Sequence, residues 1–252
     1  MQAPNQRKTR LDLLLVDRGL AESRAKAQAM ILAGHVLVNE QRLEKCGAAV
    51  MEDAAVRLLA QPSKYVSRGG LKLQGALEHF RIITDGKICL DVGASTGGFT
   101  DCLLQKGAAK VYAVDVGTNQ LSWKLRNDPR VVVREKVNAR ELEFKTIGEC
   151  VELATMDVSF ISATLILPAL PKLLVPGAEI LVLVKPQFEV GRAQVGYGGI
   201  VRDAALHQEA VAKVSRKLLE LGFSGLASVE SPLPGMEGNQ EFFLHALWQK
   251  RN

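Results

Sequence analysis

Between Arg10 and Ala60 the apolar residues come in short clusters. Leu11, Leu14, Leu15 and Val16 recur at helical spacing, and Gly19 suits the left-handed end of that helix. Ser23 is placed to cap a second helix over 24–33, which Gly34 stops. Residues 35–39 alternate like a strand, the chain turns near Asn39-Glu40, and a second strand is predicted over 54–59. From Ser67 onward, apolar runs alternate with helical periods. The runs predict strands over 88–92, 111–115, 131–134, 153–158, 179–184, 223–229 and 241–248. The periods predict helices over 70–80, 99–106, 119–126, 162–174 and 203–221. This order predicts an α/β fold, a doubly wound, Rossmann-like sheet with helices on both faces, preceded by a small α+β domain. The expected limits are 1–61 for the small domain, 62–67 for a linker that Pro62 stiffens, and 68–252 for the large one.

Composition narrows the function. A 47% hydrophobic and 23% charged chain is ordinary for a globular protein. The most apolar window, 165–184, carries Pro168, Pro171, Lys172, Pro176 and Glu179, which argues against a membrane span. The polar, basic stretch from Met1 to Arg10 has no apolar core behind it, so no signal peptide and a cytoplasmic location are expected. Cys46, Cys89, Cys102 and Cys150 form no C-x-x-C pair and read as free thiols, and no cluster suggests a metal. The net charge of +5 fits a polyanionic partner, while 5% aromatic residues leave little surface for base stacking.

Much of the positive charge is local. Arg7, Lys8, Arg10 and Arg18 flank the first helix, and Arg24 and Lys26 open the second. Cations beside the free N–H groups of a helix start favour phosphate, although a solvated basic face gives the same pattern. The segment RLDLLLVDRGLAESRAKAQAMILAGHVLVN resembles the S4 domain, an RNA-binding module, through Arg10-Leu11-Asp12, Ser23-Arg24, Ala27, Ile31, Gly34, Val36 and Val38-Asn39. It departs from that family at Glu40, where a glycine is usual.

The sharpest motif is residues 91–100, DVGASTGGFT, which leaves an apolar strand and opens a helix. Its glycines allow a tight turn and close ligand approach. Asp115 closes the next strand 22 residues after Gly93, where a carboxylate can accept ribose hydroxyls. A dinucleotide loop would place a glycine where Ser95 stands, whereas the D-x-G-x-x-x-G-G form resembles the loop methyltransferases use, so S-adenosylmethionine is favoured over NAD, with a purely structural glycine loop a distant third. Asp91, Gly93, Ser95, Gly97, Phe99 and Asp115 are the expected cofactor residues.

In an open parallel sheet ligands sit at the carboxyl edge. Asp157 and Lys185 end two predicted strands there, Glu241 begins the last strand on the same edge if that strand is antiparallel, and Lys72 can reach it from the preceding helix. Singly, each has a bland reading as a surface charge or cap. Together, in SRGGLKL, MDVSFIS, LVKPQFE and NQEFFLH, they resemble the Lys-Asp-Lys-Glu tetrad of the FtsJ-like 2'-O-ribose methyltransferases. An S4 domain joined to such an enzyme resembles the TlyA family, also called hemolysin A. The resemblance implies S-adenosylmethionine-dependent methylation of cytidine 2'-hydroxyls in ribosomal RNA, 16S, 23S or both, on free RNA or ribosomal subunits. It implies Lys72, Asp157, Lys185 and Glu241 as catalytic residues and Asn138 near the adenine. A hydroxyl must lose its proton as the methyl transfers, and a lysine becomes the base only in its neutral form, which burial and a neighbouring cation favour. On this reading Lys185 is the base and Lys72 the neighbouring cation. The glycine-rich stretch 186–201 is expected to be a mobile loop that closes over RNA with Arg192 near a phosphate, or else a plain surface loop. Two other functions compete: a non-catalytic RNA-binding or ribosome assembly factor, and a membrane-lysing hemolysin, which would need spanning or amphipathic segments the sequence lacks.

Overall fold

The apolar runs of the second half pair into one seven-stranded sheet, and the short clusters of the first half form a separate small unit. The structure, a computed structural model, describes residues 7–59 and 64–249. The chain divides into compact units at 1–63 and 64–252.

In the first unit β1 (Lys8–Arg10) runs into α1 (Leu11–Asp17), followed by α2 (Arg24–Leu32). Then come β2 (Val36–Val38), β3 (Gln41–Arg42), β4 (Ala49–Met51) and β5 (Val56–Leu58). β1 pairs with β4, and β2 lies between β3 and β5, all antiparallel. Leu11, Leu15, Ala27, Ile31 and Val36 are fully buried between helices and strands. Ser23 caps α2, its Oγ accepting from the Lys26 backbone N–H at 3.3 Å. The β2–β3 turn places Asn39 at φ 50° and Glu40 at φ 63°, the pair of left-handed residues a tight hairpin requires. Glu40 holds this geometry without glycine through a bidentate pair with Arg57 of β5, at 3.1 and 2.6 Å.

The second unit begins with α3 (Arg68–Phe80), then β6 (Ile88–Val92), α4 (Gly98–Gln105), β7 (Lys110–Val114), α5 (Trp123–Arg126) and β8 (Val131–Arg134). It continues with α6 (Phe144–Ile147), β9 (Val151–Met156), β10 (Leu174–Val184), α7 (Pro186–Glu189), α8 (Ala204–Leu221), β11 (Phe223–Glu230) and β12 (Phe242–Trp248). The spatial order is β11-β12-β10-β9-β6-β7-β8. The five strands from β8 to β10 are parallel, and β12 lies antiparallel between β10 and β11. Alternate residues of the central strands serve opposite faces. Leu90, Ala154 and Ile180 join a core with Val214 and Leu218 of α8. Cys89, Leu153 and Leu181 join another with Leu73 of α3 and Leu103 of α4. Burial on both faces is why these strands read as unbroken apolar runs.

Three expectations change. The helix over 162–174 is instead three short 3-10 turns, Ala163–Leu165, Leu167–Ala169 and Pro171–Leu173. Pro168 and Pro171 remove N–H donors and clash with preceding carbonyls, so no α-helix propagates through them. The helix over 119–126 contracts to α5, because Asn119 takes the left-handed conformation at φ 56°. Of the expected linker, Pro62 and Ser63 lie outside the described residues, whereas Lys64–Ser67 packs on the second unit. Tyr65 is buried there with its OH donating to Gln74 at 2.8 Å, and the Val66 N–H donates to Asp101 Oδ2 at 2.9 Å. Among the described residues no helix is long and apolar enough to cross a membrane, and no group of His, Cys, Asp and Glu could hold a metal. All four cysteines are free, and burial pushes the Cys89 thiol up to about 12 and Cys102 up to about 11, which leaves both unreactive.

Candidate active site

The strand ends of β6, β7, β9 and β10 deliver their loops to one edge of the sheet. After β6 the backbone turns through Gly93 (φ 84°), Ser95 (φ 48°) and Gly97 (φ 97°) into α4. A side chain at Gly93 would put its Cβ 2.2 Å from the Asp157 carbonyl oxygen, and one at Gly97 would lie 2.3 Å from Leu125. Glycine is therefore required at both by conformation and by space. The loop is tied to β7 by the Gly93 and Ala94 N–H groups, both donating to the Val114 carbonyl. Asp115 bridges the two loops: Oδ2 accepts the Ser95 N–H at 2.8 Å and Oδ1 accepts the Gly117 N–H at 2.7 Å. A carboxylate has about four acceptor sites, so lone pairs remain for hydroxyl donors. Ser95 and Thr96 are exposed on the loop. This glycine cradle with a carboxylate beside it fits a ribose-bearing cofactor.

Two motif residues do not face such a ligand. Asp91 is fully buried beneath the loop, where Oδ2 accepts from Thr100 Oγ1 at 2.7 Å and Oδ1 from Thr155 Oγ1 at 3.2 Å. Burial pushes its carboxyl up to about 7, against the hydrogen bond from Thr100. Phe99 is 3% exposed and stacks on Phe243, centroids 6.0 Å apart, in the core. Both hold the loop rather than line it, which corrects their expected role as cofactor contacts. Asn138 caps a 3-10 turn, accepting from the Arg140 N–H at 3.2 Å and donating to Glu141 Oε1 at 2.9 Å. The neighbouring Val137 N–H donates to the Asp115 carbonyl, so this turn borders the Asp115 loop.

The four charged residues meet at the same edge. Asp157 follows β9, and its N–H donates to the Val92 carbonyl at 2.9 Å. Lys185 follows β10. Val184 pairs with Phe242 across the antiparallel ladder, so the next position along it sets Lys185 opposite Glu241. Lys72, on α3, reaches across to Glu241 with Nζ 2.5 Å from Oε2, and the two are 8% and 2% exposed. Lys185 Nζ lies 2.6 Å from Asp157 Oδ1 and donates to Ser159 Oγ at 2.9 Å. The tetrad is thus two ion pairs, each lysine beside its own carboxylate. Ser159 joins the site although its sequence position gave no signal beyond lying two residues past Asp157.

The stretch after Lys185 is a set of short turns anchored at its far end. Asn239, 1% exposed, accepts the Val201 N–H and donates to the Gly199 carbonyl, each at 2.9 Å. Arg192 is exposed at the start of a 3-10 turn.

In the first unit, Asp12 organises the basic cluster. It is sealed from water by its own partners: Arg10 donates to both of its oxygens at 3.0 Å, Arg24 at 2.9 Å and Gln28 at 2.8 Å. The Arg10 guanidinium holds the Asp12 carboxyl well below the usual carboxylate range. Both arginines stay about half exposed and fixed in place. Arg18 instead donates to the backbone carbonyls of Ala54 and Glu52, and Lys26 pairs with Glu22 at 2.5 Å. Arg7 lies 3.7 Å from Glu52, and Lys8 is exposed on β1. Arg18 therefore serves the fold of this unit through the carbonyls it binds.

Comparison with known proteins agrees with this layout. The FtsJ-like methyltransferase family matches residues 65–247, and the S4 domain family matches residues 9–47. The chain is 50% identical to the 16S/23S rRNA (cytidine-2'-O)-methyltransferase TlyA of Mycobacterium tuberculosis, over 94% of this chain and 89% of that one. It is 44% identical to Hemolysin A of Brachyspira hyodysenteriae, over 94% and 99% of the two chains. A solved hemolysin structure from Streptococcus thermophilus superposes with a TM-score of 0.73 at 45% identity, covering 96% of this chain and 89% of that one. Matched along nearly its whole length by a TlyA and a Hemolysin A, and itself carrying an S4 domain followed by an FtsJ-like methyltransferase domain, the chain belongs to the TlyA (hemolysin A) family.

Proposed function

We propose that this chain transfers a methyl group from S-adenosylmethionine to the 2'-hydroxyl of a cytidine in ribosomal RNA, 16S, 23S or both. It would act in the cytoplasm on ribosomal RNA or ribosomal subunits. The observation that carries this reading is the convergence of Lys72–Glu241 and Lys185–Asp157 at the edge where the glycine loop opens. In the family that pattern goes with ribose methylation, and the M. tuberculosis relative is named for the cytidine reaction.

The chain's own groups divide the work. Gly93, Ser95 and Gly97 would shape the cradle for S-adenosylmethionine, Asp115 would accept its ribose hydroxyls, and Asn138 would serve the adenine. Bound S-adenosylmethionine supplies an activated methyl group on a sulfonium. Lys185, held between Asp157 and Ser159, would take the proton from the ribose hydroxyl at Nζ as the oxygen attacks once it has itself given up its proton, since only the neutral amine can act as the base. Glu241 and Lys72 orient the hydroxyl in line with the methyl, so positioning carries much of the rate. Arg10 and Arg24, fixed by Asp12, hold RNA phosphates in the first unit, and Arg7, Lys8 and Lys26 add charge around them. Arg192 serves a phosphate beside the catalytic edge.

The test incubates the protein with labelled S-adenosylmethionine and ribosomal subunits that lack the modification, wild type beside Lys185→Ala. Label on a ribose hydroxyl that disappears in the variant supports both reaction and base. A folded wild type that binds RNA yet neither binds nor consumes S-adenosylmethionine overturns the reading in favour of an RNA-binding assembly factor.

A further inference from the structure

The segments that leave β9 and β10 run side by side, and a buried carboxylate outside the tetrad joins them. Glu189, the last residue of α7, is 6% exposed. One of its oxygens accepts from Ser162 Oγ at 2.5 Å and the other from the Ala163 N–H at 2.7 Å. Lys213 of α8 balances its charge at 3.1 Å and donates to its backbone carbonyl at 2.6 Å. Apolar packing would join two loops without the desolvation that a buried carboxylate costs. Directed bonds do something packing cannot, because they fix the register of one loop against the other.

Each loop transmits that register to the site. α7 is a single turn closed by Phe188 N–H to the Lys185 carbonyl and Val190 N–H to the Pro186 carbonyl, so Lys185 and Glu189 move as one piece. On the other side, Phe160 sits between Ser159 and Ser162 at φ 65°, a conformation a bulky side chain keeps only when its surroundings enforce it. Its ring, 92% exposed, lies tilted beside Phe188 with centroids 5.4 Å apart, so the polar bonds at the two ends of the turn hold it rather than burial of the ring. The Lys185 contacts brace this strained turn at one end and Glu189 braces it at the other. We propose that Glu189 is a positioning residue that sets Lys185 against Asp157 and Ser159 for methyl transfer, an inference that rests on the methyltransferase reading above.

The test compares Glu189→Gln, Ser159→Ala and the double variant in the labelled-methyl assay at a temperature where all are folded. Glu189→Gln should lower kcat on the order of tenfold or more. KM for S-adenosylmethionine and affinity for RNA should stay within about twofold. The two substitutions should be non-additive in kcat, because both act through Lys185. A purely structural role would lower Tm and leave kcat per folded molecule unchanged, and that result overturns the inference while wild-type activity keeps the methyltransferase reading intact. Additive effects on kcat overturn it as well. If Glu189→Gln does not fold, Ser162→Ala removes one of the same bonds and should lower kcat about threefold or more without changing cofactor affinity, and an unchanged kcat counts against the inference. A wild type that binds no cofactor overturns the methyltransferase reading and this inference with it.

Discussion

Asp91 makes a prediction that runs against the usual expectation for a motif residue: replacing it should stabilise the protein. Its carboxyl is fully buried and pushed up from 3.8 to about 7, chiefly by desolvation. An acid raised on folding binds its proton more tightly in the native state, so stability falls as pH rises from the unfolded value to the folded one. Each pKa unit is worth about 1.4 kcal/mol, so the full cost above neutrality is about 4 kcal/mol at most. Asn at this position carries no charge to desolvate. Its oxygen can still accept from Thr100 Oγ1, and its NH2 can donate to Thr155 Oγ1, which itself donates to the Leu90 carbonyl at 3.3 Å. The hydrogen-bond network therefore closes again, at a loss of about 1 kcal/mol. Between about pH 5.5 and about pH 8.5 the advantage of Asp91→Asn over wild type should grow by about 2 kcal/mol. Urea unfolding followed by tryptophan fluorescence measures this cleanly, because the chain's only tryptophans, Trp123 and Trp248, both lie in the second unit. Stability curves that stay parallel across this pH range would refute the argument, since they would mean Asp91 titrates alike folded and unfolded.

Gly93→Ala should weaken S-adenosylmethionine binding by more than about tenfold in calorimetry, because its Cβ would lie 2.2 Å from the Asp157 carbonyl at a φ of 84°. Unaltered affinity would show that the loop is free to shift. Asp12→Ala should loosen Arg10 and Arg24 and reduce affinity for a ribosomal RNA fragment by about tenfold, with cofactor binding by the second unit unchanged. Because the Asp12 carboxyl is depressed, its contribution to the first unit should be full above the ordinary carboxylate value, shrink steadily as pH falls below it and be gone once pH passes the lowered value, which circular dichroism on acid titration would follow.

Most of the sheet was legible because a parallel strand buried on both faces leaves a continuous apolar run, as in 88–92 and 179–184. The tetrad was legible because strand ends and the antiparallel last strand place charges far apart in sequence on one edge. What escaped has physical causes. Pro168 and Pro171 lie in a strongly apolar stretch whose periodicity still reads as helix, although neither can extend one. A glycine motif marks where a loop must turn but not which of its side chains face inward, so Asp91 and Phe99 read as ligand contacts when they support the loop from below. Ser159 and Glu189 act through bonds between two loops, and no local period encodes such a pairing. The strands β1 and β3 are two or three residues long and mostly polar, Lys8-Thr9-Arg10 and Gln41-Arg42, so they lack the apolar residues that made the equally short β2 and β5 legible.

The position of β12 fixes the order in which the sheet is completed during synthesis. This strand is last in sequence, yet it inserts between β10 and β11, and the residue that leads into it, Glu241, is the partner of Lys72 on the unit's first helix. Until it leaves the ribosome, β10 lacks its outer neighbour and Lys72 has no carboxylate. The first unit, ending near residue 63, emerges roughly 180 residues earlier, a lead of about ten to forty seconds at ordinary elongation rates. A nascent chain therefore exposes its N-terminal unit well before the Lys72–Glu241 pair can form.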